Sequence, residues 1–315
     1  MKEAPMDIKQ LELFADVAET RNFTRSGDRM GYTQSGVSHI LKSLETEIGF
    51  PLFVRTKQGV RLTRNAELLL PLVHTLLSAN ENLSQTIHDV CGVNSGSLVI
   101  ASFASISIHW LPQIIRRFQE MYPGITISLM EGGTDEIVDW VANNQADFGF
   151  MSQRNTRGLE WISLCEDPLM AILPRDYPVP EDHRFPIEEF QEQHFIISAM
   201  GTDYDVHHAL DSSNVKPNTH FTSKDDHAII SMIANHLGIS ILPQLVVKGY
   251  EEQVQAYPLH PYCARNLGIA VKSRQGLSPA AKKFLRLTQE IVPRIQAGDA
   301  HAARRTVRRP HTQAV

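Results

Sequence analysis

Thr33-Gln34-Ser35, then Ser38-His39 and Lys42, place hydrogen-bonding side chains at the spacing of one helix face. At roughly 100° per residue, Ser35, His39, Lys42 and Thr46 project together, with Ser38 on the flank. Val37, Leu41, Leu44 and Ile48 share the other side of the same helix. Thr33 is a candidate N-cap, its hydroxyl accepting from an orphan N–H one turn on. Gln34 and Ser35 then stand in the first turn. A Gln there is suited to a two-point contact with adenine, whereas Ser and Lys are less selective. Arg55, Lys57 and Arg61 follow within a strand–turn–strand pattern, Leu52-Phe53-Val54-Arg55-Thr56 and Val60-Arg61-Leu62-Thr63 around Lys57-Gln58-Gly59. Cations so placed would hold phosphates or reach a minor groove. A solvated surface helix would show the same polar face, so the neighbouring elements decide.

Those neighbours fit. Residues 23–30 have the pattern of a short helix, and Gly31-Tyr32 breaks it before the longer one. Helix, turn, helix and basic hairpin together form a winged unit whose second helix can enter a major groove. Directly after it, residues 64–90 have one long helical pattern, with Thr63 as a possible cap and Pro71 near its start. Leu69, Leu76, Leu83 and Val90 recur every seven residues, and Val73, Asn80 and Ile87 form a second row. This apolar seam suits the pairing of two helices. Packing within its own domain is the alternative.

The N-terminal 66 residues resemble the winged helix-turn-helix of the LysR-type transcriptional regulators. The resemblance is carried by Met6-Asp7-Ile8-Lys9-Gln10-Leu11, Phe23-Thr24, Thr33-Gln34, Val37-Ser38, Leu44-Glu45, Glu47-Ile48-Gly49, Leu52-Phe53, Arg55 and Val60-Arg61-Leu62-Thr63. Ser26-Gly27, Gly36 and Gln58 depart from the usual residues; a Gly inside a helix costs up to about 1 kcal/mol against Ala. The resemblance continues to about residue 292, through Tyr122-Pro123-Gly124-Ile125, Glu131-Gly132-Gly133-Thr134, Ala146-Asp147-Phe148-Gly149, Leu237-Gly238-Ile239-Ser240-Ile241-Leu242-Pro243 and Leu277-Ser278-Pro279-Ala280-Ala281. It implies a ligand-binding domain of two subdomains, similar to periplasmic solute-binding proteins. It also implies a homodimer through the 64–90 helix, a homotetramer that bends promoter DNA, and RNA polymerase as a candidate partner.

The expected organisation is a winged helix-turn-helix at 1–66, a linker helix at 67–91, a hinge at 92–96, an effector domain at 97–297 and a basic, disordered tail at 298–315. Subdomain I takes 97–167 and 267–297, and subdomain II takes 168–266. From Ser97 onward strands and helices alternate, an α/β reading with parallel sheets. The pattern predicts one helix over 106–122 and strands over 125–130, 147–151, 169–173, 195–198, 219–221, 239–242 and 267–271.

Ligands in such sheets bind beyond the carboxyl ends of strands, where helix N-termini point. That rule selects Ser102, Phe103 and Ser105 after one strand and Thr134 after the next. From the other subdomain it selects Met200, Gly201, Thr202, Asp226 and His227. Hydroxyls with free N–H groups suit an anion, so Ser102, Ser105 and Thr134 are candidate contacts to a small anionic effector, or else ordinary N-caps. Phe103 and Phe150 would wall the pocket or pack the core.

Other chemistry is not supported. The chain has no Gly-x-Ser-x-Gly elbow, His-Glu-x-x-His motif, dinucleotide fingerprint or P-loop, so neither an enzyme nor a cofactor is expected. Asp203, Asp205, His207, His208, His220 and His227 fit no zinc spacing and read as solvated surface. Cys91, Cys165 and Cys263 are few and scattered, as in a reduced cytoplasmic protein. No apolar run is long enough for a membrane span. The net charge of −5 is unevenly distributed. Residues 1–66 hold ten Lys and Arg against eight Asp and Glu, residues 67–298 hold sixteen against twenty-six, and residues 299–315 hold four against one. A weakly basic head on an acidic body suits local phosphate binding strengthened by dimerisation. A solute-binding receptor without a specific DNA role is the alternative; it would bind ligand yet show no salt-dependent DNA affinity.

Overall fold

The computed structural model describes residues 6–56, 59–90, 95–154, 156–178, 183–199 and 203–306. Two compact units result, one built on residues 1–93 and one on 94–142 and 146–315.

The first unit opens with α1 (Ile8–Thr20), α2 (Phe23–Met30) and α3 (Gln34–Ile48). Each start is fixed by a side chain. Asp7 and Gln10 form a capping box on α1, the Asn22 carboxamide accepts from Thr24 and Arg25 N–H on α2, and Thr33 accepts from Gly36 N–H on α3. These contacts satisfy N–H groups that a helix start leaves orphaned. Gly31 ends α2 at φ 74°, a left-handed conformation that favours glycine, and this sets the turn into α3. Gly27 answers a different demand, since a Cβ there would lie 2.5 Å from the Tyr32 carbonyl oxygen.

Strands β1 (Phe53–Thr56) and β2 (Gly59–Leu62) form the wing, and α4 runs from Arg64 to Val90. The Glu45 carboxylate accepts from Leu52 N–H at 2.7 Å and so ties the wing to α3. Thr63 donates to the Pro51 carbonyl and caps α4 by accepting from Ala66 N–H. Leu11, Phe14, Val17, Val37, Leu41, Leu44 and Leu52 make the core. Val73 also belongs to it, with Leu69 packed against it. These two residues therefore leave the predicted intermolecular seam for the domain's own core. The exposed apolar row runs instead through Leu68, Leu72, Leu76, Leu83, Ile87 and Val90.

The second unit contains β3 (Ser95–Ser102), α5 (Ala104–His109), α6 (Leu111–Met121), β4 (Gly124–Glu131), α7 (Thr134–Ala142), β5 (Phe148–Ser152) and β6 (Glu160–Leu173). The single helix expected over 106–122 is broken at Trp110, and Pro112 lies in the first turn of α6. Strand β3 already begins at Ser95, inside the expected hinge; residues 91–94 lie outside the described ones. The chain continues through β7 (Phe185–Pro186), a 3-10 turn, β8 (His194–Ser198), α8 (Asp203–Ser212), β9 (Asn218–Ser223), α9 (Asp226–Ala234), β10 (Ser240–Pro243) and α10 (Gln244–Val247). It closes with β11 (Gln255–His260), β12 (Ala264–Val271) and α11 (Pro279–Thr306). Helix α11 thus occupies 298–306, where the tail was expected to begin, and residues 307–315 lie outside the described ones.

The sheets are mixed, not purely parallel. β4, β3 and β5 run parallel, whereas β12 is antiparallel to both β5 and β6. One 14-residue strand, β6, explains the difference. Its first part pairs with β12 in subdomain I, and its end, Leu169–Leu173, pairs with β10 and β11 in subdomain II. Each subdomain has its own core, the first around Phe118, Phe148, Phe150 and Phe284 and the second around Phe185, Phe190, Phe195 and Val206.

Candidate DNA interface and effector site

Helix α3 presents the residues read from the sequence. Gln34, Ser35, His39 and Lys42 are exposed, Ser38 is part-exposed, and Val37, Leu41 and Leu44 are buried beneath them. Thr33 does cap the helix, and its hydroxyl lies 3.1 Å from that of Ser35. The Gln34 amide donates to the Ser38 hydroxyl at 3.2 Å. This bond holds the Gln side chain along the helix.

The wing divides its cations. Val54 pairs with Arg61 and Arg55 with Val60, and side chains alternate faces along a strand. Arg55 therefore shares the face of the buried Val60, while Arg61 lies on the opposite face with Val54. Both arginines are exposed. Lys57, at the turn, lies outside the described residues.

In the second unit, neighbouring strand ends collect the predicted effector residues. Gly132 N–H donates to the Ser102 carbonyl, and Phe103 N–H to the Phe150 carbonyl. The Ser102 hydroxyl turns onto the Phe103 carbonyl. Phe150 packs edge-on against Phe148 in the core. Ser105 is buried and accepts from Arg265 Nη2 at 3.3 Å. The Thr134 hydroxyl is buried without a hydrogen-bond partner among the described residues. It is no N-cap, because Thr134 is already the first residue of α7. On the other subdomain, Asp225 caps α9 and Asp226 accepts from the Ser198 hydroxyl at 2.8 Å. The His227 ring is exposed and lies against Tyr250. Met200, Gly201 and Thr202 lie outside the described residues.

The central side chain was not among the predicted ones. Arg265, on β12, is fully buried, and its Nε and Nη2 donate to one oxygen of Asp167 at 2.9 and 2.8 Å. The other Asp167 oxygen accepts from Leu245 N–H at the start of α10. The Arg265 guanidinium also lies 5.6 Å from the Phe103 ring centroid. Burial pushes the Asp167 carboxyl upward, while Arg265 and the Leu245 N–H pull it back. Asp205, read from sequence as solvated surface, is instead half-buried, its carboxylate accepting from the Ser152 hydroxyl. Burial raises both Asp205 and Asp226 above the ordinary carboxylate range, and the charge of Arg265 opposes the rise in each. Burial also pushes the Cys165 thiol up to about 12, so it rests protonated and unreactive. Among the described residues there is no His, Cys, Asp and Glu group arranged for a metal, and no helix is long and apolar enough to cross a membrane.

Comparison with known proteins places both units in known domain families. Residues 8–67 match the model of the bacterial regulatory helix-turn-helix proteins of the lysR family. Residues 92–293 match the LysR substrate binding domain. The chain belongs to the LysR family of transcriptional regulators. A LysR-type protein of this kind is a DNA-binding regulator with an effector-binding domain, and its relatives are regulators, not enzymes. One is the HTH-type transcriptional regulator YvbU of Bacillus subtilis, 27% identical over 289 residues, covering 91% of this chain and 99% of that protein. Among solved LysR-type folds, a full-length OxyR variant from Pseudomonas aeruginosa superposes with a TM-score of 0.70 at 20% identity, over 91% of this chain and 98% of that one. Full-length CbnR in complex with its target DNA gives a TM-score of 0.64 at 18% identity, over 90% and 99%.

Proposed function

We propose that this regulator binds promoter DNA as a homodimer joined through α4, and that two such dimers form the working tetramer. In this reading Gln34, Ser35, Ser38, His39 and Lys42 meet base edges in the major groove, with Thr33 at the phosphate end of the helix. Arg55, Lys57 and Arg61 hold the backbone on either side of the wing. Two recognition helices then fit two half-sites a helical turn apart. The observation that carries the reading is the exposed Gln34–Ser38 pair on a capped helix whose apolar face is fully packed. The apolar row on α4 supports dimerisation, since Leu72, Leu83 and Val90 are 66%, 61% and 82% exposed in the single chain.

A small effector binds between the subdomains, against Ser105, Thr134, Arg265, Asp205 and Asp226. It shifts the protein between two shapes only to the extent that it binds one more tightly. The change alters the bend of the bound promoter and the access of RNA polymerase. The protein acts in the cytoplasm, where DNA and metabolites meet.

Fluorescence-anisotropy binding to the DNA upstream of its own gene, at several salt concentrations and against scrambled DNA, tests the reading. Preferential binding with a steep salt slope is expected. Equal, weak binding to operator-containing and scrambled DNA at every salt would refute it.

A further inference from the structure

Glu45 acts twice at the end of α3. Its backbone carbonyl accepts from Gly49 N–H at 2.9 Å, which closes the helix at the left-handed Gly49. Its carboxylate reaches past that turn and accepts from Leu52 N–H at 2.7 Å and from Phe53 N–H at 3.4 Å. Phe53 begins β1, so this half-buried side chain sets the direction in which the wing leaves the recognition helix. Bonds from backbone N–H groups to a carboxylate are stronger than neutral ones.

The rest of the hairpin is seated elsewhere. Val60 N–H donates to the Arg21 carbonyl at 3.1 Å, at the corner between α1 and α2. That close approach needs Gly59, since a Cβ there would lie 2.6 Å from the same oxygen. The Phe53 ring packs edge-on against Phe14 of α1 and Phe23 of α2. These contacts hold the hairpin on the first two helices, and Glu45 joins it to the third. Glu45 stands about 16 Å along α3 from Gln34, and Arg55 lies roughly 7 Å along β1 beyond Phe53. The two are arms of one rigid piece, with the Glu45 carboxylate at the elbow.

We infer that Glu45 is a positioning residue for DNA recognition, acting through Arg55 by fixing the reach of the wing relative to the bases that α3 meets. The inference rests on the reading that α3 enters the major groove and that the wing arginines hold phosphates. A duplex fixes the distance from a groove to its flanking phosphates. A wing that can swing must be ordered on binding, and affinity falls by that cost.

The test is a double-mutant cycle on the full chain, read by fluorescence anisotropy far below the melting temperature. The probes are the duplex from upstream of its own gene and a scrambled duplex, at several salt concentrations. Arg55→Ala should weaken binding and reduce the salt slope by about 0.9. Glu45→Ala should weaken binding about tenfold and lose a similar part of the slope, although Glu45 makes no DNA contact itself. Glu45→Gln, which retains an acceptor oxygen, should keep most of the affinity. Adding Arg55→Ala to Glu45→Ala should cost less than about twofold more, because a contact already lost is not lost again. Where Glu45→Ala does not fold, Glu45→Asp, one methylene shorter, takes its place in the cycle. Fully additive losses, or a lower melting temperature with affinity and slope unchanged, would make Glu45 merely structural and overturn the inference. An Arg55→Ala protein that binds both duplexes as the parent does would instead refute the reading of the wing, and the inference with it.

Discussion

Arg265 and Asp167 stand opposite each other on β12 and β6, and two guanidinium nitrogens share one carboxylate oxygen of a fully buried pair. Removing one partner strands the other's charge, at a cost of about 3–5 kcal/mol. Asp167→Asn and Arg265→Met should therefore each lower the melting temperature of the effector unit sharply. The double replacement should cost clearly less than the sum. Simple additivity in thermal denaturation would show that the two do not act as a pair.

On the DNA side, Gln34→Ala should remove the two-point base contact proposed for it. Discrimination between the operator and a variant half-site should fall by about 1–3 kcal/mol, while affinity for scrambled DNA barely changes. Ser38→Ala should have a smaller effect in the same direction, because Ser38 fixes the Gln34 amide. Competition anisotropy reads both.

Arg55 and Arg61 should behave differently from Gln34. Each Ala variant should weaken operator and scrambled DNA alike and reduce the salt slope by about 0.9 for every phosphate that is no longer neutralised. Because the two lie on opposite faces of the hairpin, their effects should add. A double variant no weaker than either single one would contradict this geometry.

The exposed row on α4 predicts the oligomer. Leu83→Glu or Ile87→Glu would place a charge in the proposed seam and should shift the protein to monomer in sedimentation. Val73→Glu should instead unfold the headpiece, because Val73 is 4% exposed within the winged-helix core.

The raised carboxylates give a pH dependence of stability. Asp205 titrates above the usual carboxylate range when folded, so its ionisation opposes folding. Stability from this group is present at low pH and is lost as pH rises through its folded value. Asp205→Asn removes the loss. Its melting temperature should exceed that of the parent near pH 7, and the gap should close as pH falls through the ordinary carboxylate range. A gap independent of pH would assign the effect to packing.

Much of the headpiece was legible because helix periodicity and caps are local. The 3.6-residue rhythm of Val37, Leu41 and Leu44 set the orientation of α3, and Thr33 marked its start. The wing's two faces were not legible, since which arginine points where depends on pairing register. The rows on α4 misled at Leu69 and Val73 because both the core and the exposed row draw leucines from one helix. Strand β6 was recognised only over its apolar end, 169–173; its first half carries Glu160, Glu166 and Asp167 among apolar residues. Arg265 gave no signal, because one arginine in a strand reads as an outward-facing residue until its partner ninety-eight positions away is placed beside it. Asp205 was misread for the same reason, its burial being set by neighbours distant in sequence.

The bonded pair on β6 and β12 lies where β6 leaves its partner in one subdomain for those of the other. Any rotation of the subdomains against each other would turn about a point that is chemically clamped. Displacements near such an axle are small, so the Asp167–Arg265 bonds should survive a swing that carries the rim through a long arc. The stacking of Arg154 on Tyr204 joins the end of β5 to α8.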